Sequence, residues 1–173
     1  MKMSKIFVLY AAILFSTTGM WASVPIIVAT PGHMRAAMNL VTEAQDLIKK
    51  GDIAGAIREL TTAEGMLPPN WTFTVALVPP HVPIWFDLAT AHLAAHHDAE
   101  AAARLQKIVG GGTLRAYHPV VYIRSLFLLG EISDRQGDGA KAADYYRRYL
   151  HYWDNSEIDR DNVATARRKL GDR

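Results

Sequence analysis

The chain has 173 residues, 50% of them hydrophobic and 21% charged, with 19 Lys and Arg against 17 Asp and Glu and no cysteine. That length suits one domain able to bury a substantial core, and the missing cysteine excludes disulfides as its support. Lys2 and Lys5 account for the whole net charge of +2, so the rest of the chain is formally neutral and lacks the basic excess that nucleic-acid binding requires.

Those two lysines precede an apolar run from Ile6 to Phe15. The run is too short to span a hydrocarbon core of roughly 30 Å, and a charged start followed by a short apolar stretch is the pattern of a secretory leader. We read residues 1–22 as a signal peptide, cleaved between Gly19 and Ser23, with an uncleaved membrane anchor as the alternative. No cysteine near the junction can carry a lipid. The expected location is the periplasm or the outside of the cell; membrane attachment follows only if the leader stays.

From residue 34 to residue 154 one two-helix phrase recurs three times, at about 34–70, 82–112 and 120–154. Counted from Ala37, Val82 and Ile123, position 8 reads Ala44, Ala89 and Gly130, and position 20 reads Ala56, Ala101 and Ala142. Small residues belong where two helices cross closely, since a larger side chain would push the axes apart. Position 4 reads Leu40, Trp85 and Leu126; position 24 reads Leu60, Leu105 and Tyr146; position 27 reads Ala63, Ile108 and Tyr149. Spacings of three and four gather these bulky side chains on one helical face and predict a buried seam.

This pattern resembles the tetratricopeptide repeat family, whose unit has Trp or Leu at position 4, Leu-Gly or Leu-Ala at 7 and 8, an aromatic at 11, Ala at 20, a large residue at 24 and Pro at 32. Trp85, Leu88-Ala89, Leu129-Gly130, Ala142, Tyr146 and Pro68 match it; Glu43 at position 7, Leu47, His92 and Ser133 at position 11, and His96-His97 in place of Gly-Asp depart from it. The resemblance implies an all-α solenoid of about three helical hairpins that binds a protein or peptide partner.

Two segments interrupt the period. In Trp71 to Leu77 large apolar residues alternate with small or polar ones, the pattern of a strand, and Val78-Pro79-Pro80 follows. This is either a loop over a gap between repeats or a lid beside the groove. Gly110 to Pro119 reads as a flexible joint; without Gly-Lys-Ser/Thr it is no phosphate loop. Asn70-Trp71-Thr72 fits the N-glycosylation triplet. Over 156–170 a capping helix is expected, with Ser156 and Asp159 at its start and Ile158, Val163, Ala166 and Leu170 inside. Arg160, Arg167, Arg168, Lys169 and Arg173 are diluted by Asp159, Asp161 and Asp172, as on a solvated helix.

A histidine-dependent metal-binding protein or enzyme is the third and least favoured reading. His92, His96 and His97 are the best metal candidates, yet Leu93-Ala94-Ala95 fill the interval in which a zinc hydrolase carries its general base. We read His92 as a packing residue and His96-His97 as a polar turn. No Gly-x-Ser-x-Gly motif is present. No catalytic residue, metal ligand or cofactor is assigned.

The resemblance places the groove on positions 2, 5, 9, 12 and 13 of each first helix. Carried onto this chain, these are Val41, Gln45 and Lys49; Phe86, Thr90 and Ala94; and Arg124, Phe127, Glu131 and Arg135. Gln, Thr and Glu at position 9 depart from the Lys and Asn arrangement that clamps a C-terminal carboxylate in some relatives. We expect Phe86 and Phe127 to serve as apolar anchors flanked by the two arginines, the alternative being that both phenylalanines are core.

Overall fold

Every regular element among the described residues is a helix. The computed structural model describes residues 31–68, 80–112, 114–155 and 157–171. The leader, the glycosylation triplet, the strand expected over 71–77 and the cap expected of Ser156 lie outside the described residues. In chain order the helices are α1 (Pro31–Lys49), α2 (Ile53–Gly65), α3 (His81–Ala94), α4 (Asp98–Gly110), α5 (Leu114–Tyr117), α6 (Pro119–Arg135), α7 (Gly139–Trp153) and α8 (Arg160–Gly171). None of them is long and apolar enough to cross a membrane.

Three tight turns make three helical hairpins, and the turns share one geometry. Gly51, His96 and Gly137 each adopt positive φ, at 82°, 59° and 76°. The next amide reaches back to close the preceding helix: Asp52 to the Leu47 carbonyl, His97 to that of His92, and Asp138 to that of Ser133, at 2.8 to 2.9 Å. A left-handed residue followed by this long reach satisfies the last carbonyls of a helix, and glycine does it without strain. Asp52 and Asp138 then cap the following helix by accepting from the amides of Gly55 and Lys141. His97 occupies the same place and makes no side-chain cap. The middle turn thus pays twice, with a Cβ at positive φ and a missing cap.

The expected seam is fully buried at positions 20, 24 and 27. Ala56, Ala101 and Ala142 are fully buried, as are Leu60, Leu105 and Tyr146, and then Ala63, Ile108 and Tyr149. At Gly130 an added Cβ would lie 2.6 Å from the Tyr146 ring, so the two side chains exclude each other, and a large aromatic on α7 requires glycine on α6. Position 4 behaves unevenly: Leu126 is fully buried, whereas Leu40 and Trp85 are half-buried. The Trp85 indole Nε1 instead donates to Glu64 Oε1 at 2.8 Å.

The core falls into two clusters. One joins α1 and α2 to Ile84, Leu88 and Ala91 of α3. The other runs from Ala89 of α3 through α4, α6 and α7 to Val163 and Ala166 of α8. α3 contributes to both clusters, on opposite sides. Each long helix packs on the next in chain order, apart from the short α5, which lies over α4 and α6. Because the hairpin turns are short, the array has two distinct edges. The turn edge carries residues 50–52, 95–97 and 136–138. The connection edge carries the C-terminal ends of α2, α4 and α7 and the N-terminal ends of α1, α3, α6 and α8.

α8 covers α7 with Val163 and Ala166 buried and Leu170 half-buried. Ile158, expected inside, is 51% exposed. It precedes the first turn of α8, where helical periodicity no longer fixes direction. The glycine stretch after α4 also differs from a plain joint: the Leu114 amide donates to the Gly111 carbonyl, and α5 follows at once.

Candidate binding face

The face assigned to the first helices is built by α1, α3 and α6, and its residues divide by what they touch. Val41 and Phe127 do not line it. Each is only 4% exposed, and the Phe127 ring packs between Tyr146 and Tyr149 with centroids 5.8 and 5.2 Å away. Their positions turn toward the second helix of the hairpin, so burial removes both from the candidate set. Phe86 is half-buried against the larger core cluster. It offers an edge, not a free ring.

The two arginines expected to flank those rings are engaged elsewhere. Arg124 donates through Nε and Nη2 to the two carboxylate oxygens of Asp159, both at 2.7 Å. Arg135 makes the same two-pronged pair with Asp98 at 2.8 Å. Such forks fix geometry as well as charge, so Arg124 holds the start of α8 against α6 and Arg135 holds the start of α4. Each partner lies at least 35 residues away in the sequence. The arginines therefore work as cross-links between helices, which corrects the expectation that they stand ready for a ligand. Lys49 is exposed and pairs with Asp46 at 3.0 Å within its own helix. Ala94 is exposed in the last turn of α3.

What remains open on this face is acidic and polar. Gln45 Nε2 of α1 donates to Asp87 Oδ2 of α3 at 3.1 Å, and the Thr90 hydroxyl donates to the Asp87 carbonyl at 2.9 Å. Burial pushes the Asp87 carboxyl above its ordinary range, with the Gln45 hydrogen bond acting against it. Burial likewise pushes Glu131 up, with Arg135 and Lys169 pulling it down and Asp134 adding to the rise. Neither carboxylate forms an ion pair among the described residues. A carboxylate taken partly out of water without an ion-pair partner is destabilised, and it gains from a ligand that supplies one.

Asp87 was missed in the sequence because position 6 is not a groove position in the family resemblance. Its helical spacing of three from Thr90 is the clue that could have found it. Toward α8 the face ends in Asp134, which meets Lys169 at 3.2 Å and the Tyr146 hydroxyl.

The histidines gather at the middle turn. His92 Nδ1 and His97 Nδ1 lie 3.4 Å apart, and burial lowers the His92 pKa. Among the described residues no group of three or more His, Asp or Glu side chains converges closely enough to hold a metal ion.

No protein-family model matches the chain, and no curated protein matches it in sequence.

Proposed function

We propose that this chain is an exported, tetratricopeptide-like interaction module whose first-helix face binds a peptide or protein segment carrying Lys or Arg. The observation that carries this reading is that two partly buried carboxylates, Asp87 and Glu131, form no ion pair among the described residues, on a face whose arginines are already tied to other acids. Three hairpins with one turn geometry and one buried seam support the repeat architecture. Such an array leaves one continuous helical face free, which suits an extended or helical ligand. The leader supports export, and an uncleaved leader would make the same module membrane-tethered.

A displayed library of random peptides, selected on the full chain, tests the proposal. Selected sequences should be enriched in Lys and Arg and should lose at least about tenfold in affinity, roughly 1.4 kcal/mol, on Asp87→Asn with Glu131→Gln. Selection of acidic or purely apolar peptides, or binding indifferent to that double change, would refute it.

A further inference from the structure

Four of the five most exposed large apolar side chains among the described residues lie at one end of the last hairpin. Tyr117 ends α5, Val120 opens α6, Tyr152 sits in the last turn of α7, and Ile158 lies in the link to α8. Each is between 39 and 51% exposed. Contacts hold this end of the hairpin together. The rings of Tyr122 and Tyr152 meet edge to face with centroids 6.0 Å apart. Arg115 donates to the Tyr152 hydroxyl at 3.2 Å, and the Arg124 fork ties the link carrying Ile158 to α6. The fifth side chain, Met38, is on α1; the turn edge carries none.

Four considerations point to what covers this patch. Its chemistry is that of the water–lipid boundary, where tyrosine keeps its ring in apolar surroundings and its hydroxyl wet, beside aliphatic side chains and arginine. Four side chains are also far fewer than the roughly 20 to 30 residues a side of a stable protein interface, but they suffice for shallow insertion when a second element tethers the chain. Position supplies that second element. α1 begins on this same connection edge, so the preceding chain, with Lys2, Lys5 and the apolar run from Ile6 to Phe15, joins the fold there. Charge agrees in sign. Arg104 and Lys107 share the single carboxylate of Glu64, and Arg115 makes no ion pair among the described residues. Arg160 is balanced by Glu157, Arg167 by Asp154 and Arg124 by Asp159, and Asp161 in the first turn of α8 offsets part of the excess.

We propose that the connection edge rests on the headgroup layer of an anionic bilayer, with Tyr117, Val120, Tyr152 and Ile158 dipping into the interface. This rests on the membrane-tethered form of the proposed module, in which the leader stays uncleaved, and not on the peptide-binding face. The missing cysteine makes a direct test possible, because Val120→Cys and Ala99→Cys each place one fluorophore on the full chain, at the connection edge and the turn edge respectively. Vesicles of phosphatidylglycerol and phosphatidylethanolamine with brominated acyl chains should quench the label at 120 and shift its emission to the blue, while the label at 99 keeps its aqueous spectrum. Tyr117→Ser with Tyr152→Ser should reduce the quenching at 120 and leave the circular dichroism unchanged. Equal quenching at both positions, or none at 120 whether or not the chain sediments with the vesicles, overturns the proposal. A blue shift at 120 without lipid that grows with protein concentration assigns the patch to a second copy and overturns it too. Peptide binding retained by the serine variant would show that the first-helix face stands independently of this result.

Discussion

At the turn edge three connections of equal length repeat one set of backbone hydrogen bonds, whereas at the connection edge the links differ in length, composition and exposed side chains. The difference has a physical origin. A turn between two packed helices must close both with very few residues, so a left-handed residue and a cap are demanded at fixed places. A link between hairpins is under no such demand and is free to carry apolar surface. Within the turn edge the contrast sharpens again, since Gly51-Asp52 and Gly137-Asp138 meet the demand and His96-His97 does not.

The largest expected effect lies just past the turns. Ala101 and Ala142 sit in the first turns of α4 and α7 and are fully buried, so replacing either with Leu should cost about 1 to 3 kcal/mol by overpacking. Chemical denaturation of Ala142→Leu measures this, and a change within about 0.5 kcal/mol is what a surface site would give. The second effect runs in the opposite direction. His96→Gly combined with His97→Asp should stabilise the chain by about 1 to 2 kcal/mol, through relief of the left-handed Cβ and a new cap. If the pair is neutral, the middle turn obeys rules unlike those of its neighbours.

Arg124→Ala probes the connection edge. It leaves the half-buried carboxylate of Asp159 without its fork and should lower stability by about 1 kcal/mol, with hydrogen exchange rising first in α8. An unchanged melting temperature would mean that the pair does not secure α8. The smallest effects involve buried polar groups. The Tyr149 hydroxyl is buried without a hydrogen-bond partner among the described residues, and its pKa is pushed up to about 12, by burial first. Removing an unsatisfied hydroxyl relieves its desolvation cost, so Tyr149→Phe should be neutral or stabilising by up to about 1 kcal/mol. Glu131, raised by burial, is held most comfortably as the neutral acid. Its favourable contribution is full below its unfolded pKa and is lost as pH rises through the folded value. Glu131→Gln should therefore stabilise at pH 7 by less than about 1 kcal/mol, given solvent screening, and the gain should vanish on acidification through the carboxylate range.

The regular half of the molecule was legible in the sequence and the irregular half much less so. Ala56, Ala101 and Ala142, with Leu60, Leu105 and Tyr146, announce the seam because a helix buries every third or fourth residue regardless of what its partner is. The candidate face was misread where burial and long-range pairing decide. Val41 and Phe127 share a helical turn with true surface positions, and a small rotation of the helix carries them into the core. Arg124 and Arg135 read as free cations because Asp159 and Asp98 stand far off in sequence and meet them only through the packing of α8 and α4. Ile158 continued an apolar period beyond the end of the helix that would have buried it.

Hydrogen–deuterium exchange of the full chain, with and without a lysine-bearing peptide selected as above, tests the central claim most directly. We predict slowed exchange in α3 and α6, around Asp87 to Thr90 and around Glu131, with the 114–120 and 150–158 segments unchanged. Protection confined to those two segments, with α3 and α6 unaffected, would contradict the account and transfer peptide binding to the connection edge.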